Sequence, residues 1–474
     1  MIPVAAYRDQ TVAVIGLARS GLTAARALQA GGASVICWDD NEEAQARAKA
    51  EGLTVTDLNA RDWSDLAAVV LSPGFPLTHP EPHRYVKMAE SVDVPVIGDI
   101  ELFALAVNAL PENQRPRVIG ITGTNGKSTT TALLGHLFHH AGLDAQVGGN
   151  IGRGVLDLDP PHSGAVYVLE LSSYQLDLAH SLRCDAALLL NVSPDHLDRH
   201  GGMEGYVRAK TRIFQNQRPT DAAIIGVDDE HTRRIATGWL AKGERNVIPV
   251  SSGRALSRGV YALGGALYDA TGTSVRQVAE LDAVETLPGR HNHQNIAAAF
   301  AAARAAGLSA DAIRDGLKSF PGLAHRLEKI AEIDGVAFVN DSKATNFDAV
   351  RQALAVYGNI YWIAGGRAKD ESLKSLSDLF PRISKAYLIG EAQDGFARGL
   401  KDVMPVDKSG DMETAVARAL ADARASGAPD PVVLLSPGCA SFDQFKDFED
   451  RGDTFRRIVE RITRDSASIQ GASA

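Results

Sequence analysis

The sequence predicts three successive α/β units, and three observations lead there. Short β-branched apolar runs alternate with stretches of helical periodicity along the whole chain, and glycine-rich turns follow several of those runs. Breaker-rich stretches at residues 108–117 and at Pro321-Gly322 divide the chain in three. Its 474 residues agree with that division at about 150 residues per domain. With 45 % hydrophobic and 23 % charged residues the composition is that of a globular protein, and it excludes collagen, coiled coil and disorder. The 58 acidic and 49 basic side chains leave a net charge of −9, so no global basic field exists to hold a nucleic acid, and a phosphate ligand must be bound locally. Cys37, Cys184 and Cys439 are far apart and lack CxxC spacing, which signals neither a disulfide framework nor a zinc site and suits a reducing cytoplasm. The opening MIPVAAYRDQTVAVIG reads as neither a secretory leader nor a spanning helix, so no membrane insertion is expected.

In the first unit TVAVIG reads as a buried strand, and Leu17, Leu22, Ala25 and Leu28 then recur at helical spacing up to Gly31-Gly32. ASVICW is a second strand, ending in Asp39-Asp40, and LAAVVLSPG a third. Strand, glycine turn, helix and acid-ended strand make a parallel βαβ unit. Gly16-Leu17-Ala18-Arg19-Ser20-Gly21 approximates a dinucleotide fingerprint with Asp39 as the ribose acid. Ala18, however, adds a Cβ where the backbone must approach a pyrophosphate, which argues against NAD or FAD. Another nucleotide, or a purely structural turn, remains open.

The second unit begins RVIGITGTNGKSTTTALLGHLFHHAG. Between its strand and helix, Gly123-Thr124-Asn125-Gly126-Lys127-Ser128 puts backbone N–H groups and a lysine at a helix N-terminus suited to phosphates, with Ser128 able to ligate Mg²⁺. Ile121 stands where the full GxxxxGK[ST] loop needs glycine, so the match is to a shorter GxxGKS form; a solvated glycine-rich turn is the bland alternative. AVYVLE ends in Glu170, placed as a metal-approaching strand acid or as a carboxylate facing water. AALLLNV runs into Ser193-Pro194-Asp195-His196-Leu197-Asp198, at the sheet end where ligands of open α/β sheets sit. Lys210 shares one helix face with Tyr206, Val207, Ile213 and Phe214, so it either snorkels or is held near a reactive centre with a lowered pKa, and periodicity alone favours snorkelling because lysine is almost never fully buried unless paired.

The helical stretch HNHQNIAAAFAAARAAG leads to Pro321-Gly322, and the third unit repeats the alternation with GVAFVND, NIYWIAGG, KAYLIGE and PVVLLSPG. Three polar loops follow strands here: Asn340 to Asn346, GGRAK with Lys369, and SPGCASFDQFKDFEDRG. Each alone reads as a capped turn, whereas three on one sheet edge point to a ligand site.

With TGTNGKST, Glu170, NVSPDHLDRH, HNHQN, GLAHRLE, NDSKATN and LSPGCASFDQFKDFEDRG in this order, nearly the whole chain resembles the Mur ligase family. NDSKATN and SFDQFKDFEDRG resemble most its D-glutamate-adding branch, and the DNPR-type loop of the diaminopimelate- or lysine-adding sisters is absent. The resemblance implies an N-terminal Rossmann-like UDP-substrate domain over residues 1–108 and a central P-loop-type mononucleotide-binding ATPase domain over 109–321. A C-terminal Rossmann-like domain over 322–474 would bind the amino acid and complete the ATP site. The implied activity is cytoplasmic, ATP-dependent addition of D-glutamate to UDP-N-acetylmuramoyl-L-alanine through an acyl phosphate, by a monomer with two Mg²⁺ sites. Residue by residue, the resemblance gives catalytic roles to Lys127, His196, Lys210 and Lys343. It gives ATP contacts to Gly123 through Thr129, Asn292, Asn295, Arg326 and Asp341, with Gly123, Thr124, Asn125, Gly126, Lys127, Ser128 and Thr129 forming the loop. Ser128, Thr129 and Glu170 would hold one metal ion, and His196 with a carbamylated Lys210 the other. The D-glutamate contacts would be Thr345, Lys369, Ser441 and Phe448. The UDP-substrate contacts would be Gly16, Leu17, Ala18, Arg19, Ser20, Asp39, Ser72, Pro73, Gly74 and Asn150, with Asp40-Asn41 departing from the Thr-Arg of related enzymes.

Three other readings compete. A sister Mur ligase or a folylpolyglutamate synthase shares the loop, but the N-terminal nucleotide-type unit argues against the folate enzyme. A nicotinamide oxidoreductase leaves the lysine loop unexplained, and a non-catalytic nucleotide switch has no need of three polar C-terminal loops.

Overall fold

The computed structural model describes residues 1–368 and 372–472, with side chains through 465. Three sheets are present among the described residues. The first is wholly parallel, in the order β3-β2-β1-β4-β5, from β1 (Thr11–Ile15), β2 (Ser34–Trp38), β3 (Thr54–Val55), β4 (Leu66–Leu71) and β5 (Val96–Ile97). The second runs β14-β13-β12-β11-β10-β9-β6-β8-β7. Its strands are β6 (Arg117–Thr122), β7 (Asp144–Gly149), β8 (Ala165–Glu170), β9 (Ala186–Leu189), β10 (Ala222–Gly226), β11 (Asn246–Ser251), β12 (Val260–Leu263), β13 (Ala266–Asp269) and β14 (Arg276–Glu280). The third runs β15-β16-β20-β17-β18-β19, from β15 (Glu328–Ile333), β16 (Val336–Asn340), β17 (Ile360–Gly365), β18 (Ile383–Ile389), β19 (Val406–Gly410) and β20 (Val432–Leu435).

Central strands are buried on both faces by flanking helices, which is why β6, β8 and β17 read as near-continuous apolar runs. The pattern fails at the edges. β12, β13 and β14 form an antiparallel meander, and β15 pairs antiparallel with β16, neither of which the sequence reading marked. Cys37, Cys184 and Cys439 are free and buried. Among the described residues no helix is long and apolar enough to cross a membrane.

The chain divides into two compact units, Met1–Ala283 with Asn292–Phe320, and Val284–His291 with Pro321–Ala474. The first two sheets therefore share one unit. Within it, the buried Glu101, in the helix Asp99–Asn108, accepts hydrogen bonds from the backbone N–H groups of His180 (2.6 Å) and Ser181 (2.8 Å) and from the Ser181 hydroxyl (2.6 Å). Asn108 Nδ2 donates to the Ser181 carbonyl at 3.1 Å, and the Gly98 N–H to that of Leu178 at 3.0 Å. An acid from the first sheet's last helix thus satisfies a bend beside the second sheet that has no ladder partner of its own. Glu101→Ala would take the acceptor away from three donors on His180 and Ser181, at a cost of about 1 to 2 kcal/mol because these residues are partly reached by water. The expected result is faster amide hydrogen exchange at His180 and Ser181 with the helix after β6 unaffected; unchanged protection there would mean that Glu101 does not hold this bend.

Candidate active site

The second sheet changes direction around β6. The chain leaves β6 for β7, skipping β8, and later leaves β8 for β9, skipping back over β6. Crevices open at the C-terminal strand ends of such switch points, and there the loops after β6, β8 and β9 meet. Gly126, at φ +83°, immediately precedes the helix Lys127–His140, and a Cβ on it would lie 2.2 Å from Asn295 Oδ1. Only glycine fits that close approach. Asn295 Nδ2 in turn donates to Asn292 Oδ1 at 3.0 Å, which brings both asparagines of the helix Arg290–Ala305 to the phosphate loop.

Two lysines converge on that loop. Lys127 Nζ donates to the carbonyls of Gly123 (2.9 Å) and Thr124 (2.8 Å), and Lys210 Nζ donates to the same Gly123 oxygen at 2.8 Å. Lys210, in the helix Met203–Thr211, is only 2 % exposed, and its ammonium lies 4.4 Å from the centre of the Tyr206 ring. Burial, reinforced by the Lys127 charge and only partly opposed by Asp195, holds the Lys210 amine well below the usual lysine range. The snorkelling alternative is therefore wrong: this lysine is interior.

Glu170, also 2 % exposed, accepts from Asn150 Nδ2 through Oε1 (2.8 Å), while its Oε2 is buried with no hydrogen-bond partner. An orphaned carboxylate oxygen at a phosphate-loop sheet end fits a hard divalent cation, which takes one or two carboxylates and fills its other positions with phosphate and water oxygens. Ser128 and Thr129, both buried at the helix start, add hydroxyls of the kind such an ion takes. No group of three or more His, Cys, Asp or Glu side chains suited to a metal occurs among the described residues. His196 sits in the loop after β9 at φ +52°, its Nε2 3.5 Å from Asp195 and its ring 5.2 Å from that of Tyr174.

In the first sheet the strand order reverses between β1 and β4. Gly16 to Ser20 and Ser72 to Gly74 follow those two strands. Ser72 Oγ donates to the Gly16 carbonyl at 2.9 Å, and Gly16, at φ +89°, has no room for a Cβ beside Ser72 and Phe75. Asp39, at the end of β2, accepts from the N–H groups of Leu17 (2.6 Å) and Asn41 (2.8 Å), so its carboxylate fixes the turn after β1. The departing pair has its own local roles: Asp40 accepts from Arg84 at 2.5 Å, and Asn41 caps the helix Glu42–Ala50.

In the second unit β16, β20 and β17 lie side by side and parallel, which gathers their three following loops at one edge. Arg451, fully buried, ties two of them together: Nε and Nη2 donate to Ser342 Oγ (3.0 Å) and to the Ser342 carbonyl (2.8 Å), and Nη1 to the Cys439 carbonyl (3.0 Å). Burial pulls its pKa down to about 10. Asp341 accepts from Ser436 Oγ (2.9 Å) and the Leu327 N–H (3.3 Å), and burial raises its carboxyl to about 7, against the opposing pull of those bonds and of Arg326. Lys343 Nζ lies 3.5 Å from the centre of the Phe448 ring, whose backbone carbonyl accepts from Ser342 Oγ at 2.8 Å. Ser441 is buried and Thr345 half-buried. Lys369 lies outside the described residues.

Sequence reasoning passed over Asn191 and Arg451. Each was inside a stretch already singled out, but an asparagine after a strand is an ordinary turn residue, and an arginine in a helix reads as a solvated face.

Residues 121–303 match the family model of the Mur ligase middle domain, and residues 325–439 that of the Mur ligase glutamate ligase domain. UDP-N-acetylmuramoylalanine--D-glutamate ligase of Caulobacter sp. (strain K31) is 59 % identical over 467 residues, covering 98 % of this chain and 99 % of that one. The ligase of the same name from Rhizobium etli is 51 % identical over 455 residues, with 96 % of each chain covered. Among solved structures, UDP-N-acetylmuramate-alanine ligase MurC from Thermotoga maritima aligns with a TM-score of 0.55 at 17 % identity over 96 % of this chain and 99 % of that one, a likeness of fold. On these matches over nearly its full length, the chain belongs to the Mur ligase family.

Proposed function

We propose that this chain couples ATP cleavage to amide formation between the carboxylate of UDP-N-acetylmuramoyl-L-alanine and the amine of D-glutamate. A carboxylate resists amine attack because oxide is a hopeless leaving group. Transfer of the γ-phosphoryl group to it gives an acyl phosphate, the amine attacks, and the tetrahedral intermediate collapses to amide and phosphate beside ADP. Every reactant is an anion, so the chain must supply positive charge at the phosphates. The observation that carries the nucleotide half is the convergence of Lys127 and Lys210 on the Gly123 carbonyl within the phosphate loop. The amino-acid half rests on the name of the relative at 59 % identity.

In this reading Lys127 covers the phosphates, Lys343 faces the transferred group, and Asn292, Asn295, Arg326 and Asp341 hold the nucleotide. Mur ligases are ATP-dependent and generally use Mg²⁺, which when bound neutralises and orients phosphate oxygens. Ser128, Thr129 and Glu170 would hold one ion, His196 and a carbamylated Lys210 a second; the unpartnered Glu170 Oε2 supports the first of these. A neutral buried amine is the form that adds CO₂: the N–C bond forms, one amine proton leaves, and a cation-prone group becomes an anion. D-Glutamate would be taken by Thr345, Lys369, Ser441 and Phe448, with Lys369 answering its side-chain carboxylate. Gly16 to Ser20, Asp39, Ser72 to Gly74 and Asn150 would take the UDP substrate. Residues 1–108, 109–321 and 322–474 would then serve the UDP substrate, ATP and the amino acid in turn, in a cytoplasmic monomer.

A panel of amino acids tests the assignment. Phosphate release is expected only with ATP, Mg²⁺, UDP-N-acetylmuramoyl-L-alanine and D-glutamate together; turnover with another amino acid and none with D-glutamate would transfer the chain to a sister activity. For the carbamate, Lys210→Ala is expected to lower kcat by about 100-fold, with partial recovery in short-chain carboxylates and none in bicarbonate. Full activity of that variant would remove Lys210 from the reaction.

A further inference from the structure

We propose that Asn191 is a positioning residue for the phosphate loop, held in place through Gln294 by Asp228. The proposal rests on the reading of that loop as the ATP site and adds the group that sets its shape. Asn191, just after β9, meets two consecutive loop residues with three hydrogen bonds. Its Oδ1 accepts from the Asn125 N–H at 2.8 Å, its Nδ2 donates to the Asn125 carbonyl at 3.1 Å, and its own carbonyl accepts from the Thr124 N–H at 2.9 Å. One side-chain amide thus pairs with both backbone groups of Asn125, which needs an acceptor and a donor in one plane. Aspartate keeps the acceptor, loses the donor and sets a negative charge beside a loop meant for phosphates.

The amide is itself oriented. Asn191 Nδ2 also reaches Gln294 Oε1 at 3.5 Å, and Gln294 Nε2 donates to Asp228 Oδ2 at 3.1 Å. The Asp228 carboxylate, after β10, is anchored by Ser251 Oγ (2.6 Å) and by the Ser252 N–H (2.8 Å). Its neighbour Asp229 accepts from the Val192 N–H at 3.2 Å, a second tie from the end of β10 to the segment that carries Asn191. Gln294 shares its helix with Asn292 and Asn295, so the helix that approaches Gly126 closely at Asn295 also reaches Asn125 through Gln294 and Asn191. A loop fixed before the nucleotide arrives spends less binding energy on ordering itself.

The full-length chain tests this with Asn191→Ala, Asn191→Asp, Gln294→Ala and the Asn191→Ala/Gln294→Ala double variant, measuring KM for ATP and for D-glutamate, and ATP binding by calorimetry. Asn191→Ala is expected to raise KM for ATP on the order of tenfold, with KM for D-glutamate unchanged. Gln294→Ala should raise it about threefold, and the double variant should be no worse than Asn191→Ala, because Gln294 acts through Asn191. Asn191→Asp should bind ATP more weakly than Asn191→Ala. An unchanged KM for ATP in Asn191→Ala, or effects that multiply in the double variant, would overturn the proposal. Should Asn191→Ala not fold by circular dichroism, Gln294→Ala decides: a raised KM for ATP alone supports the relay, and an unchanged one removes it. Failure of the functional reading looks different, since wild-type chain would then bind ATP without turning over those substrates, and the calorimetric comparison would still read the relay.

Discussion

Two lysines share one carbonyl oxygen, and much of the site follows from that. Lys127 and Lys210 both donate to the Gly123 oxygen, and Asp195 only partly offsets the positive charge at Lys210. Burial penalises the Lys210 ammonium and the neighbouring Lys127 charge repels it, so the Lys210 amine is held well below the usual lysine range. Because an unfolded chain would protonate that amine freely, its burial costs stability that grows as pH falls through the ordinary lysine range and is at its full value below the lowered pKa. A cost kept in the interior of a fold asks for a return. Phosphate oxygens beside Lys127 and a carbamate in place of the Lys210 amine would each supply the missing negative charge.

The fold turns that local demand into a site by topology. Strand order reverses beside β1 in the first sheet and around β6 in the second, and each crevice carries polar groups that the apolar strands between them could not hold. Backbone geometry is then fixed by side chains brought from a distance. Asp39 fixes the turn after β1, Asn191 braces the phosphate loop that Asn295 approaches closely, and Arg451 binds the Ser342 and Cys439 loops of the second unit. Flexible polar loops become binding surfaces only when such partners remove their freedom.

What the sequence disclosed, and what it withheld, divides along the same line. TVAVIG, RVIGIT and AVYVLE were legible because doubly buried parallel strands must be apolar throughout, and GTNGKS because a turn into a helix N-terminus has its own chemistry. The meander β12 to β14 was not legible, since short edge strands carry polar residues on their open face. Nor was the packing of the first two sheets into one unit, in which the buried Glu101 joins Asn108, Gly98 and a shared apolar core, with nothing in its sequence neighbours to mark it. Lys210 shows the boundary well. Periodicity put it on an apolar face but leaned toward snorkelling, because a sequence reveals which face a residue takes and not how deep that face lies. Asn191 and Gln294 are 103 residues apart, and only the fold brings their amides together.

The most direct test is a ¹³C NMR spectrum of the full-length chain equilibrated with ¹³C-bicarbonate. A Lys210 amine whose pKa is lowered by burial and by Lys127 should take up CO₂ and give one slowly exchanging carbamate carbon signal, absent from Lys210→Ala. A wild-type chain that shows no such signal, yet turns over at its full rate in CO₂-depleted buffer, would contradict the account.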